Sequence, residues 1–220
     1  MEMERSLPAA GQVGPVGGAE STMQSERELV LTGIGGQGVQ LAAQVLARAA
    51  IAEGRSAQMF GSYGGMMRGG NTEATLVIAD GAIGAPPTVT ETWSAIFMHH
   101  DFSEPTRAKL RPGSLVLVNS TVFEGSFTSG PNQPNEFQVV EVAATDLAVD
   151  LGNIMTASMI MLGAYAATTS MVMLDSLDAA VTESLPSYRT QHVARNVAAI
   201  RAGFEVAPRD LSPAWTDVLT

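Results

Sequence analysis

Apolar and polar positions change their period several times along the chain, and each change marks an element. "ELVLTGIG", Glu28 to Gly35, is an apolar run stopped by glycine and predicts a strand. "VQLAAQVLARAAIAEG", Val39 to Gly54, repeats its apolar residues at helical spacing before another glycine stop, so the two make a strand, a tight loop and a helix. "RSAQMF", Arg55 to Phe60, reads as a second strand and "TEATLVIAD", Thr72 to Asp80, alternates as a third, with the loop "GSYGGMMRGGN" between them. Trp93 to His100 predicts a strand, Ser103 to Leu110 a short helix, and "RPGSLVLVNS" a turn followed by a strand. The order is β-α-β-β-β-α-β.

A polar insertion, Phe123 to Glu136, precedes one more strand (Phe137 to Ala143) and a short helix (Ala144 to Gly152). Asn153 to Leu174 is apolar and uncharged, long enough to span a bilayer at roughly 20 residues. Its Ser and Thr side chains, the central Gly163 and the lack of flanking positive charge instead predict a helix buried in protein, broken near Thr168 to Ser170. Leu174 to Leu185 and Tyr188 to Glu205 read as amphipathic helices, the second carrying several arginines. The fold expected is α/β: a Rossmann-like, doubly wound, mostly parallel sheet with additional C-terminal helices. Residues 1–27 read as a disordered cytoplasmic tail, with glutamates where a signal peptide needs positive charge, 28–206 as the α/β domain, and 207–220 as a C-terminal tail without periodicity.

Composition narrows the function. Hydrophobic residues make up 45% of the chain against 15% charged and 5% aromatic, which favours a subunit over a solitary protein. A net charge of -10 without any basic run argues against nucleic acid and anionic lipid as partners. The absence of cysteine excludes disulfides, thiolate nucleophiles and cysteine-held iron–sulfur or zinc sites within this chain.

The candidate chemistry lies in two glycine loops. Gly33, Gly35 and Gly38 satisfy the GxGxxG spacing, with Gly36 and Gln37 between, at the junction of a strand and a helix where free N–H groups and the helix dipole favour an anion. A nicotinamide site also needs a carboxylate closing the next strand, and "RSAQMFGSYGG" has none. From the residues alone, the loop is either an anion site or a turn that lets helix and strand pack closely. Ser62, Tyr63, Gly64, Arg68, Gly69 and Gly70 form a second loop expected to face the same crevice; Arg68 either reaches a phosphate or carboxylate or ties its own loop, and Gln37 either caps the helix or meets a partner. His99, His100 and Asp101 invite a metal, but adjacent strand residues point to opposite faces, so no metal site is expected.

Taken in order, "GIGGQGVQLAAQVLARAA", "SYGGMMRGG", "ATDLAVDLGN…MIMLGAYAA" and "NVAAIRAG" resemble the gamma subunit, or gamma domain, of the 2-oxoacid:acceptor (ferredoxin) oxidoreductases, including the pyruvate and ketoisovalerate enzymes. The resemblance implies a complex of alpha and beta, and optionally delta, subunits that decarboxylates a 2-oxoacid on thiamine diphosphate and Mg2+. Electrons then pass through iron–sulfur clusters to ferredoxin or another acceptor, and the acyl group leaves on CoA. It implies that the gamma chain holds no cofactor or catalytic residue of its own and contributes assembly and CoA-side contacts. The sequence agrees in lacking both cysteine and a GDG…N diphosphate signature. It departs where the family usually has an acidic residue, at Met66, and often asparagine, at Ser158. An independent NAD(P)-binding dehydrogenase and a nucleotide-sensing scaffold are the alternatives.

Overall fold

The strand Glu26–Ile34 (β1) is central because it is buried on both sides, Leu29 and Leu31 facing one way and Val30 and Thr32 the other. The structure, a computed structural model, describes residues 25–63, 69–84, 88–124, 127 and 136–215. Ser25 to Arg27, expected in the tail, lead into and open β1; the rest of that tail lies outside the described residues. The other strands are β2 (Ser56–Tyr63), β3 (Asn71–Ala79), β4 (Thr92–Phe97), β5 (Leu110–Asn119) and β6 (Gln138–Val142), and the six form one sheet in the order β2-β3-β1-β4-β5-β6. β1, β4, β5 and β6 run parallel, whereas β3 lies antiparallel to both β1 and β2. The sheet is therefore mostly parallel, and the end of β2 returns to the edge at which β1 ends.

The helices are α1 (Val39–Ala52), α2 (Glu104–Arg107), α3 (Ala144–Asp150), α4 (Ala157–Thr169), α5 (Leu174–Ser184) and α6 (Val193–Val206). All but α2 join one apolar cluster with Leu29, Leu31, Leu76, Leu115 and Leu117. The opposite face is covered more thinly: Ala95, Phe97, Val116 and Val118 pack under Phe123, Phe127, Phe137 and Val139. α2 is a single turn, shorter than its sequence suggests, because Lys109 O already accepts from Thr92 N at 2.8 Å and commits the chain to the sheet. The expected turn at Arg111 to Gly113 is likewise absorbed into β5 as a bulge: Thr92 pairs with Leu110 but Ser94 with Leu115, and Gly113 takes φ 84°.

Every residue of α4 is buried, which is why the sequence there carries no charge. The apolar stretch divides into a 3-10 turn at Ile154–Thr156, α4 itself, and a stop at Ser170 with φ 47°, close to the predicted break. Among the described residues no helix is long and apolar enough to cross a membrane. Two glycines bring α4 against α6: a Cβ on Gly163 would overlap the Ile200 carbonyl, and one on Gly203 the Ile160 carbonyl. Beyond α6, the aperiodic segment is nevertheless fixed. Asp210, Ser212 and Ala214 donate to the carbonyls of Ala167, Thr168 and Thr169 at 2.9, 3.0 and 2.7 Å, and Trp215 Nε1 donates to Met171 O at 3.0 Å. They satisfy carbonyls that a helix end leaves without partners.

Candidate functional site

The loop from Gly33 to Gly38 is held mainly by its own glutamine. Gln37 Oε1 accepts from Ile34 N at 2.9 Å, and its Nε2 donates to Met98 O at 3.3 Å, beyond the end of β4. The side chain braces the turn from within and does not cap α1. Gly35 N donates to Gly70 O at 2.8 Å, and Gln37 N to Ile34 O at 3.2 Å. The N–H groups of Ile34, Gly35 and Gln37 are thus consumed inside the protein, and Gly35 cannot offer its donor to an anion as the spacing suggested.

The glycines divide by role. Gly33 is sterically required, since a Cβ would stand 2.5 Å from Gln37 Oε1 and 2.8 Å from Met98 Cβ. Gly36 (φ 107°) and Gly38 (φ 81°) adopt backbone conformations that L-residues rarely take, and a Cβ on Gly38 would also lie 2.6 Å from Ser158 Oγ. Gly35 has room for one. The Gly35–Gly70 bond brings the two glycine loops together at a common rim, which Thr72 shares. Ser62 is exposed at the end of β2. The Tyr63 side chain, Gly64, Met66 and Arg68 lie outside the described residues, and Gly69 sits beside Gly35 with φ 90°.

Beside this rim opens a pocket of about 570 Å³. Three helices begin on it: α1 at Gly38, Val39 and Gln40; α4, through its 3-10 lead-in, at Asn153, Met155 and Thr156; and α6 at His192, Arg195 and Asn196. The N-cap residues immediately preceding these helices make no side-chain cap, but in the lead-in to α4 Asn153 Oδ1 accepts from Met155 N, and the 3-10 turns ahead of α4 and α6 take up Ala157 N and Val193 N. What the three helices direct toward the pocket is the positive ends of their dipoles. Arg189 joins Arg195 on the wall; both are exposed, and among the described residues no carboxylate pairs with either or lines the cavity. In a chain of net charge -10, this local excess of positive potential is built by the fold. Ser158 Oγ, buried against Gly38, has no hydrogen-bond partner among the described residues.

Sequence reasoning found the glycine wall and missed the other one. Arg189, His192 and Arg195, spaced through "SYRTQHVARN" without an acidic neighbour, were the available signal. Dinucleotide binding loses its geometric basis: β3, antiparallel, separates β2 from β1, and β2 carries no carboxylate along Ser56–Tyr63.

Residues 28–206 match the Pyruvate ferredoxin/flavodoxin oxidoreductase family. The chain belongs to that family. Among the family's 2-oxoacid:ferredoxin oxidoreductase complexes, it is a gamma-type subunit. It is 27% identical over 188 residues to the 2-oxoglutarate synthase subunit KorC of Methanocaldococcus jannaschii, covering 84% of this chain and 96% of that one. It is 29% identical over 160 residues to the pyruvate/ketoisovalerate oxidoreductases common subunit gamma of Thermococcus kodakarensis, 71% of this chain and 85% of that one. The solved keto/oxoacid ferredoxin oxidoreductase gamma subunit of Geobacter sulfurreducens superposes with a TM-score of 0.67 at 28% identity, covering 82% of this chain and 95% of that one.

Proposed function

We propose that this chain is the gamma subunit of a thiamine-diphosphate-dependent 2-oxoacid:ferredoxin oxidoreductase, and that its pocket receives the phosphate groups of CoA while partner chains carry out the redox chemistry. The observation that carries the anion reading is the convergence of three helix N-termini with Arg189 and Arg195 on a cavity that no carboxylate of the described residues lines. The chain's own residues do not fit the redox groups: with no cysteine it cannot ligate an iron–sulfur cluster through thiolates, and it lacks a diphosphate-binding signature. Its work is to orient. Arginine forks and the positive helix ends hold an anionic handle far from the reacting thiol, and that binding positions the thiol for acyl transfer.

That a relative is named as a gamma subunit common to pyruvate and ketoisovalerate oxidoreductases supports placing acid selection in other chains. The test uses the assembled complex. Arg195→Ala and Arg189→Ala should each raise the apparent KM for CoA about tenfold or more, the equivalent of one charge-assisted hydrogen bond, with the KM for the 2-oxoacid unchanged. Variants that assemble normally and keep the wild-type KM for CoA would overturn the assignment of the pocket.

A further inference from the structure

The alternation that set His99 and His100 on opposite faces does not hold, because β4 ends at Phe97 and both histidines stand in the loop beyond it. Their rings lie side by side, centroids 4.3 Å apart and planes 32° from parallel. Asp101 reaches both: one carboxylate oxygen is 3.6 Å from His99 Nδ1 and the other 3.5 Å from His100 Nε2. The ligand atoms of the three residues all lie within 4.8 Å of one another. We propose that His99, His100 and Asp101 form a binding site for a borderline divalent cation of the zinc class, independent of the CoA pocket.

Three observations support this beyond proximity. Metal–ligand bonds of roughly 2.0–2.2 Å at tetrahedral angles separate neighbouring ligand atoms by about 3.3 Å; the two histidine–carboxylate gaps, each to a different oxygen of Asp101, are within a few tenths of an ångström of that, inside a cluster of ligand atoms no more than 4.8 Å apart. His100 Nδ1 lies 3.1 Å from Val122 O and 3.4 Å from Glu124 N; in the tautomer that donates to the carbonyl, the shorter of the two contacts, the lone pair is on Nε2, the nitrogen facing Asp101. A second-layer carbonyl of this kind commonly backs a ligating imidazole. His99 Nδ1 accepts Asp101 N at 3.1 Å, which fixes its ring beside the carboxylate; a cation at Nδ1 would replace that hydrogen bond. Two imidazoles and one carboxylate form a mixed nitrogen and oxygen set that suits Zn2+, Co2+ or Ni2+ and disfavours Mg2+ and Ca2+, with further positions left for water.

The site has a structural consequence at hand. Met98, which precedes His99, receives Gln37 Nε2 and Asn119 Nδ2 on its carbonyl, the first of these being the brace of the glycine loop. A cation there would fix the crevice end of β4, next to β1, from which the loop departs.

Calorimetric titration of the chelator-treated, full-length chain with Zn2+ tests the proposal. A single equivalent should bind with micromolar affinity or tighter, unaffected by millimolar Mg2+, and Co2+ in its place should give a visible d–d absorption band. His100→Ala and Asp101→Asn should each weaken Zn2+ binding about tenfold or more, whereas His192→Ala, at the only other histidine, should leave it unchanged. Asp101 is largely exposed, so Asp101→Asn keeps the test valid if a histidine variant does not fold. Substoichiometric binding at 100 µM-scale Zn2+, or wild-type affinity in Asp101→Asn, would overturn the site.

Discussion

Gly38 is the residue at which the glycine loop and the helical layer meet. Its positive φ strains any side chain, and a Cβ would also require Ser158 Oγ to move, whereas Gly35 has ordinary space and no positive φ. Gly38→Ala should destabilise the chain by about 1–3 kcal/mol, through left-handed backbone strain and overpacking, while Gly35→Ala stays within about 0.5 kcal/mol. Urea denaturation of both variants checks this, and equal losses would show that the loop does not discriminate between them. The glycines were legible in the sequence; which of them could accept a methyl group was not, because φ and the approach of a residue 120 positions away are products of tertiary structure. Tyr165 gives a second expectation at this scale. Burial raises its pKa well above the ordinary phenol value, against a smaller opposing effect from its hydrogen bond with Ser94 Oγ at 3.0 Å. The unfolded chain ionises near pH 10 and the folded chain does not, so this contribution is fully present below that pH and is lost as pH rises above it. Tyr165→Phe should flatten the alkaline fall in stability above about pH 10 in pH-dependent unfolding, and an unchanged profile would count against it.

Among the elements, the α4–α6 crossing tolerates least. A methyl group at Gly163 or Gly203 would overlap backbone carbonyls, which cannot swing aside as side chains do. Gly163→Ala and Gly203→Ala should each cost about 3 kcal/mol or more, and Gly84→Ala, with nothing within 4 Å, close to zero. Thermal melts of the three variants decide the matter; a Gly163→Ala chain that melts like the wild type would refute the crossing. Elements of strong period, β1, α1, α4 and α6, stood out in the sequence because their burial is one-sided or complete. The short α2 and the bulge in β5 did not, since the pairing of Thr92 with Leu110 settles both from outside the segment. The pocket was half legible for the same reason: its second wall comes from Arg189 to Asn196, about as far from the glycine loop in sequence as this domain permits.

At the scale of the whole molecule, one apolar surface stands out. Val149, at the end of α3, and Leu151, Ile154 and Met155, in the turns leading to α4, are large apolar side chains left exposed, and Met155 also lines the pocket. A run of this kind is expected at a subunit contact. Ile154→Asp should leave the melting temperature of the isolated chain near the wild-type value while reducing co-purification with the partner subunits. Undiminished co-purification would place the contact elsewhere.

The glycine crossing separates two properties of the pocket that are usually coupled. α4 and α6 both begin at the rim, and seven residues, about 10 Å of helix, separate Gly163 from Thr156 and Gly203 from Asn196. With backbone against backbone at the crossing, the spread of the two helix starts is geared to a pivot without adjustable side chains: a 5° rotation there shifts the rim by only about 1 Å. Mouth width is therefore set deep in the helical layer, and mouth chemistry by Arg189, His192 and Arg195 at the surface. Substitutions at those rim residues would therefore change what the mouth attracts while leaving the packing of the helices as it is.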